Sequence, residues 1–193
     1  MPGENIRFRE SVIRHAYRGA LECGARLFAF ADSSPTGGNT EIDEEQTILA
    51  IDDLMRFAIY MRRLLVLTDT VNSSKNTIMA LERIEINNGD LFFKKHINST
   101  TFWKLLSTII HHEYIEIYRR ENELLFDISK EPKDKKINIF LSRKDSFILP
   151  KIIVLSDRDY AFIGIKYIME KFAVILEHIV DACSSEKIYL ERD

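Results

Sequence analysis

His111, His112 and Glu113, with Glu116 close behind, put four potential metal ligands into one short stretch of the chain. Zinc on a helix is usually held by two histidines four residues apart with a glutamate between them, because that spacing points both rings to one side. Adjacent histidines on a helix point about 100° apart and do not close on one ion. The stretch reads instead as a polar helix end, where an imidazole meets the last carbonyls. No metal and no cofactor is expected. Asp157 and Asp159 form a carboxylate pair suited in principle to acid–base work, but a helix start between Ser156 and Asp159 accounts for both. No serine sits in a nucleophile-elbow pattern. Cys23 and Cys183 lack a second thiol at ligand spacing and are expected as buried free thiols, with a long-range disulfide between their helices as the alternative. The glycines of Asp32–Thr40 follow no strand and precede no Lys-Ser/Thr, so they mark a connection rather than a phosphate cradle.

The basic side chains offer a second kind of chemistry. The segment 130–144 carries six basic and two acidic groups, the one clear local excess of positive charge in a chain of net charge −3. Lys133, Lys135, Lys136, Arg143 and Lys144, with Arg119 and Arg120, would hold a phosphate backbone beside sheet residues such as Phe140, with binding that weakens steeply in salt. The competing expectation is that these lysines guard sheet edges against unwanted pairing. The overall balance argues against a dedicated nucleic-acid binder. Residues 1–72 hold 8 Lys/Arg against 11 Asp/Glu, and the remainder 19 against 19.

Near the start of the chain lies Arg9-Glu10-Ser11-Val12-Ile13-Arg14-His15. An arginine, a polar residue and a histidine a few positions on is similar to the motif of small helical endoribonucleases of the HEPN type. The resemblance covers seven residues and a general helical-bundle character; in that family the motif lies on a late helix, whereas here it lies on the first. The resemblance implies a metal-independent RNA cleavage in which His15 acts on the ribose hydroxyl and Arg9 steadies the phosphate across a dimer interface.

The elements that would position these groups follow from the rhythm of the apolar residues. From Ile6 to about Leu67 they recur every three or four positions, as on a helix. Between Tyr114 and Leu155 they come in short bursts, several alternating every second residue, as in strands with one buried face. The helical rhythm returns from Tyr160 to Cys183. A first helix is predicted over 4–30, with Ile13, Ala16, Tyr17, Ala20, Gly24, Leu27, Phe28 and Ala31 on its apolar side. Gly19 and Gly24 each cost about 1 kcal/mol relative to alanine there, which close helix packing would justify. His15, Arg18, Glu22 and Arg26 form a solvated stripe. A second helix from Thr40 has an acidic first turn and two adjoining apolar faces, one running from Ile48 to Leu65 through Ile51, Met55, Ala58 and Met61, the other from Leu54 to Leu67. A face that broad implies more than one neighbour.

Farther on, a short helix is expected over 75–83. A hairpin is expected at Asn87-Asn88-Gly89-Asp90, where positive φ is tolerated, with a simple break between helix and extended chain as the alternative. Ser99 or Thr100 should cap a helix carrying Phe102, Leu105, Leu106, Ile109 and Ile110, with Trp103 as a packing anchor. Strands are expected around Ile115–Ile117, Leu124–Ile128, Ile137–Leu141 and Phe147–Leu155, with Pro150 at a bulge or an edge.

The chain therefore reads as one α+β domain over 1–193. A helical hairpin (1–72) leads into mixed short helices and antiparallel strands (73–155), and a C-terminal helix (156–183) packs with them around a small antiparallel sheet. Its apolar fraction of 46% and charged fraction of 30% are ordinary for a water-soluble protein. No apolar run approaches the ~18 residues needed to cross a bilayer, and the first residues lack a secretory pattern, so a cytoplasmic protein without membrane contact is expected. The functional expectation is a non-catalytic binding or assembly module, a homo-oligomer or the partner of another protein, with RNA as the alternative ligand.

Overall fold

The computed structural model describes residues 2–34, 40–81, 85–88, 91–93, 99–119, 137–140, 150–156 and 160–190. Two long helices open the chain, α1 (Pro2–Asp32) and α2 (Thr40–Leu67), running as a hairpin. The seam of α1 is Ile13, Ala16, Ala20, Cys23, Leu27 and Ala31, all buried. Small side chains at Ala16, Ala20 and Cys23 let neighbouring helices come close along the middle of the seam, and the glycines show how close. A Cβ at Gly19 would meet the Tyr60 ring of α2 at 2.5 Å, and one at Gly24 would meet the Phe172 ring at 3.0 Å. Phe57 and Phe172 stand edge to face beside Gly24, their centroids 4.9 Å apart. The expected close packing at both glycines is thus observed, with a different partner at each.

Beyond α2 come α3 (Val71–Asn76), β1 (Ile78–Ala80), β2 (Glu85–Asn88), β3 (Leu91–Phe93) and β4 (Ser99–Thr101). The helix expected over 75–83 is not present: α3 ends at Asn76 and the chain is extended by Thr77. β1 then pairs antiparallel with β4, Met79 opposite Thr100, burying Met79 and exposing Ile78. β2 and β3 pair antiparallel as the expected hairpin requires, with Asn88 opposite Leu91, while Gly89 and Asp90 lie outside the described residues. β2 also pairs with β6 (Ile137–Phe140), giving the order β3-β2-β6. Helix α4 (Phe102–Ile110) is capped by Thr101, one residue after the expected cap, whose hydroxyl accepts from Lys104 N–H.

The remaining sheet has order β5-β7-β8, from β5 (Tyr114–Tyr118), β7 (Lys151–Leu155) and β8 (Tyr160–Gly164), and the chain ends in α5 (Ile165–Ser185). Here the sequence reading needs correcting: the C-terminal helix does not begin at Ser156. Tyr160–Gly164 forms a strand against β7, Ala161 opposite Val154 and Ile163 opposite Ile152, and the helix starts only at Ile165. The strand was hidden because Ala161, Phe162 and Ile163 are all buried, so both faces are apolar and no alternation shows. Pro150 sits just before β7, outside the paired residues, and its carbonyl accepts from Ile165 N–H. Residues 124–128 and 147–149, also read as strand, lie outside the described residues.

Ile117, Ile152, Val154, Ala161 and Ile163 share one sheet face and join a single buried cluster with side chains of α1, α2, α4 and α5. Both ends of the chain thus contribute to one interior. Helices α2 and α5 finish alike. Asp69 (φ 55°) and Lys187 (φ 60°) are left-handed, and Thr70 N–H and Ile188 N–H reach back to Leu65 O and Cys183 O, the Schellman closure.

Candidate functional site

The polar residues of the sequence reading fall into separate places. Arg9 and His15 lie six positions apart on α1, about 9 Å along its axis and about 120° around it. Arg9 donates to Leu67 O at 2.6 Å and pairs with Glu186 at 3.0 Å. It thereby places a cation at the carboxyl ends of α2 and α5, where helix dipoles favour one. His15 is exposed, its ring edge-on to Tyr60 with centroids 5.6 Å apart. Lys133, Lys135, Lys136, Arg143 and Lys144 lie outside the described residues, as do Arg120, Asp157 and Asp159.

Arg119 is not a surface cation. It is buried, donating to Gln46 Oε1 at 2.9 Å and Ser33 Oγ at 3.0 Å, with Asp43 Oδ1 at 3.4 Å and the Phe30 ring 4.7 Å away. The guanidinium ties the end of β5 to both sides of the α1–α2 connection. Asp43, read as one of several acids favouring a helix start, serves this buried pair as well.

His111 and His112 close α4 as the helix-end reading expects. The backbone N–H of His111 donates to Ser107 O, and His112 Nδ1 lies 2.8 Å from Ile109 O. Among the described residues no three His, Cys, Asp or Glu side chains gather as a metal site. Glu116 accepts from the hydroxyls of Tyr114 and Tyr118. These residues alternate along β5 and share the sheet face that carries Lys151, whose ammonium lies 5.3 Å from the Phe162 ring. The period-two pattern Tyr-x-Glu-x-Tyr was the available signal for this cluster.

Both cysteines are buried and free. Burial, aided by Asp53, pushes the Cys23 thiol up; burial, aided by Glu186, does the same at Cys183. Neither is poised as a nucleophile. Beside Cys23, Arg26 makes a two-armed contact to Asp53 at 2.7 and 2.8 Å, and that hydrogen bonding raises its pKa. The arginine counted with a solvated stripe therefore braces α1 against α2.

The least compensated feature is the outer side of α2. Leu54, Phe57, Met61 and Leu64 turn inward, whereas Ile48 is 57% exposed, Ile59 50% and Val66 61%. Ile48 thus departs from the buried role read for it, as does Phe28 of α1. Half-buried Met55 lies on the same line. One edge of the stripe is Arg62, whose guanidinium stacks 3.8 Å over the Trp103 ring and donates to Ser107 Oγ. The line can bury apolar surface against another molecule; it carries no nucleophile and no acid–base pair. Among the described residues, no helix is long and apolar enough to cross a membrane. Comparison with protein-family models, with curated proteins and with solved structures finds no match.

Proposed function

We propose that this chain is a non-catalytic assembly module of the cytoplasm that associates with itself through the outer face of α2. The observation that carries the reading is the alignment of Ile48, Met55, Ile59 and Val66 along one side of a helix, three of them at least half exposed. Scattered exposed hydrophobics are normal, whereas several gathered on one helix face, here interleaved with Asp52 and Arg62, mark an interaction surface. The polar side chains support the same reading. Arg9, Arg26 and Arg119 are each paired with a carboxylate on another element. Two buried free thiols suit a reducing compartment.

Light scattering at micromolar concentration should give at least twice the mass of one chain, and Ile59→Asp should return the single-chain mass without loss of helix signal. A strictly monomeric wild type overturns the reading. RNA cleavage that disappears in His15→Ala would replace it with the nuclease alternative.

A further inference from the structure

We propose that α2 docks on α2 of a second copy, the two helices running antiparallel about a two-fold axis that meets the outer face at the level of residue 57, between Met55 and Ile59. This rests on the self-association reading and specifies its partner and register. Along the outer face of α2 the residues Ile48, Asp52, Met55, Ile59, Arg62 and Val66 follow one another at steps of four, three, four, three and four. That is the seam spacing of a coiled coil, and it runs for about 27 Å at 1.5 Å per residue.

The order of side chains on the seam sets the direction. Positions 48 and 66 lie nine residues either side of 57, 52 and 62 lie five, and 55 and 59 lie two. A two-fold axis at 57 therefore stacks Ile48 on Val66 of the second copy, Asp52 on its Arg62, and Met55 on its Ile59, each layer occurring twice. Every apolar residue meets an apolar one and every charge meets its opposite. A parallel pair in register would instead set Asp52 on Asp52 and Arg62 on Arg62, two like-charge layers in one short seam. The antiparallel arrangement is isologous and closes at two chains.

The surroundings of the two charges point the same way. Arg62 is half-buried against Trp103, and burial lowers its pKa with no acidic group offsetting the effect. Its lateral partners are a ring face and one hydroxyl, so guanidinium donors remain for a carboxylate. Asp52 is exposed, and among the described residues it joins no ion pair.

The test is cross-linking combined with a charge variant, each at a concentration where wild type is dimeric by light scattering. Ile48→Cys with Val66→Cys in one chain should give a covalent dimer on mild oxidation, and neither single variant should. Asp52→Arg should weaken the wild-type dimer by at least about tenfold, because it sets arginine against Arg62 of the second copy; in a parallel pair it merely exchanges one like-charge layer for another. Cross-linking of the single variants, or an Asp52→Arg dimer as tight as wild type, overturns the antiparallel register while leaving self-association standing. Wild type that is monomeric throughout overturns both.

Discussion

Arg119 and Asp43, seventy-six residues apart in sequence, meet at 3.4 Å with both side chains almost wholly withdrawn from water. The guanidinium also takes Gln46 and Ser33, so one residue at the end of β5 fixes both sides of the turn between the long helices. A buried pair is a poor source of net stability, but removing one member strands the other charge.

Arg119→Ala should therefore destabilise the protein by about 3 kcal/mol, measured by urea denaturation. Adding Asp43→Ala should cost less than the two single changes summed, since both act on one contact. A loss below about 1 kcal/mol for the single change would mean the clamp holds little.

Gly19 gives a prediction whose sign depends on its neighbour. A methyl group there gains about 1 kcal/mol of helix propensity but runs into the Tyr60 ring, and overpacking of this kind costs about 1–3 kcal/mol. Gly19→Ala should lower stability in the wild-type background and raise it by about 1 kcal/mol in a Tyr60→Ala background. Equal effects in both backgrounds would show that the ring is not the obstacle.

The two left-handed helix ends lack the residue that suits them. A non-glycine residue costs about 1–2 kcal/mol in that conformation, against the ~0.5–1 kcal/mol that glycine loses in chain entropy. Lys187→Gly should stabilise by about 0.5 kcal/mol, read from the thermal midpoint. Asp69→Gly should gain less, because aspartate tolerates the left-handed region better than lysine.

Stability should fall in alkali through the two thiols. Burial raises both pKa values above the ordinary 9.0, so the folded state binds their protons more tightly than the unfolded one. Stability is then full below about pH 9 and declines as pH rises from there through the folded-state values. The urea midpoint of wild type should drop between pH 8 and pH 10.5 more than that of the Cys23→Ala, Cys183→Ala variant. Parallel pH profiles would remove the thiols as the cause.

The helical hairpin was legible in the chain because Ile13, Ala16, Ala20 and Leu27 repeat at helical spacing, and the Asn88 turn because its residue types leave few conformations open. The β8 strand was not, since burial on both faces erases the period that distinguishes a strand from a helix. The clamp at Arg119 was illegible for another reason: nothing local in Asp43 or Gln46 announces a partner in a distant strand. On α2 the apolar positions were visible but their neighbours were not. Ile48 and Leu54 look equally suited to an interior, and only the placement of α1, α4 and the sheet decides which of them remains wet.

The passage from β8 to α5 takes no intervening residue: Gly164 closes the strand, Ile165 opens the helix, and the Ile165 amide is fastened to Pro150 at the foot of the central strand. With no residue between them, strand and helix share one joint, and drawing either away should load that amide and the central strand it holds.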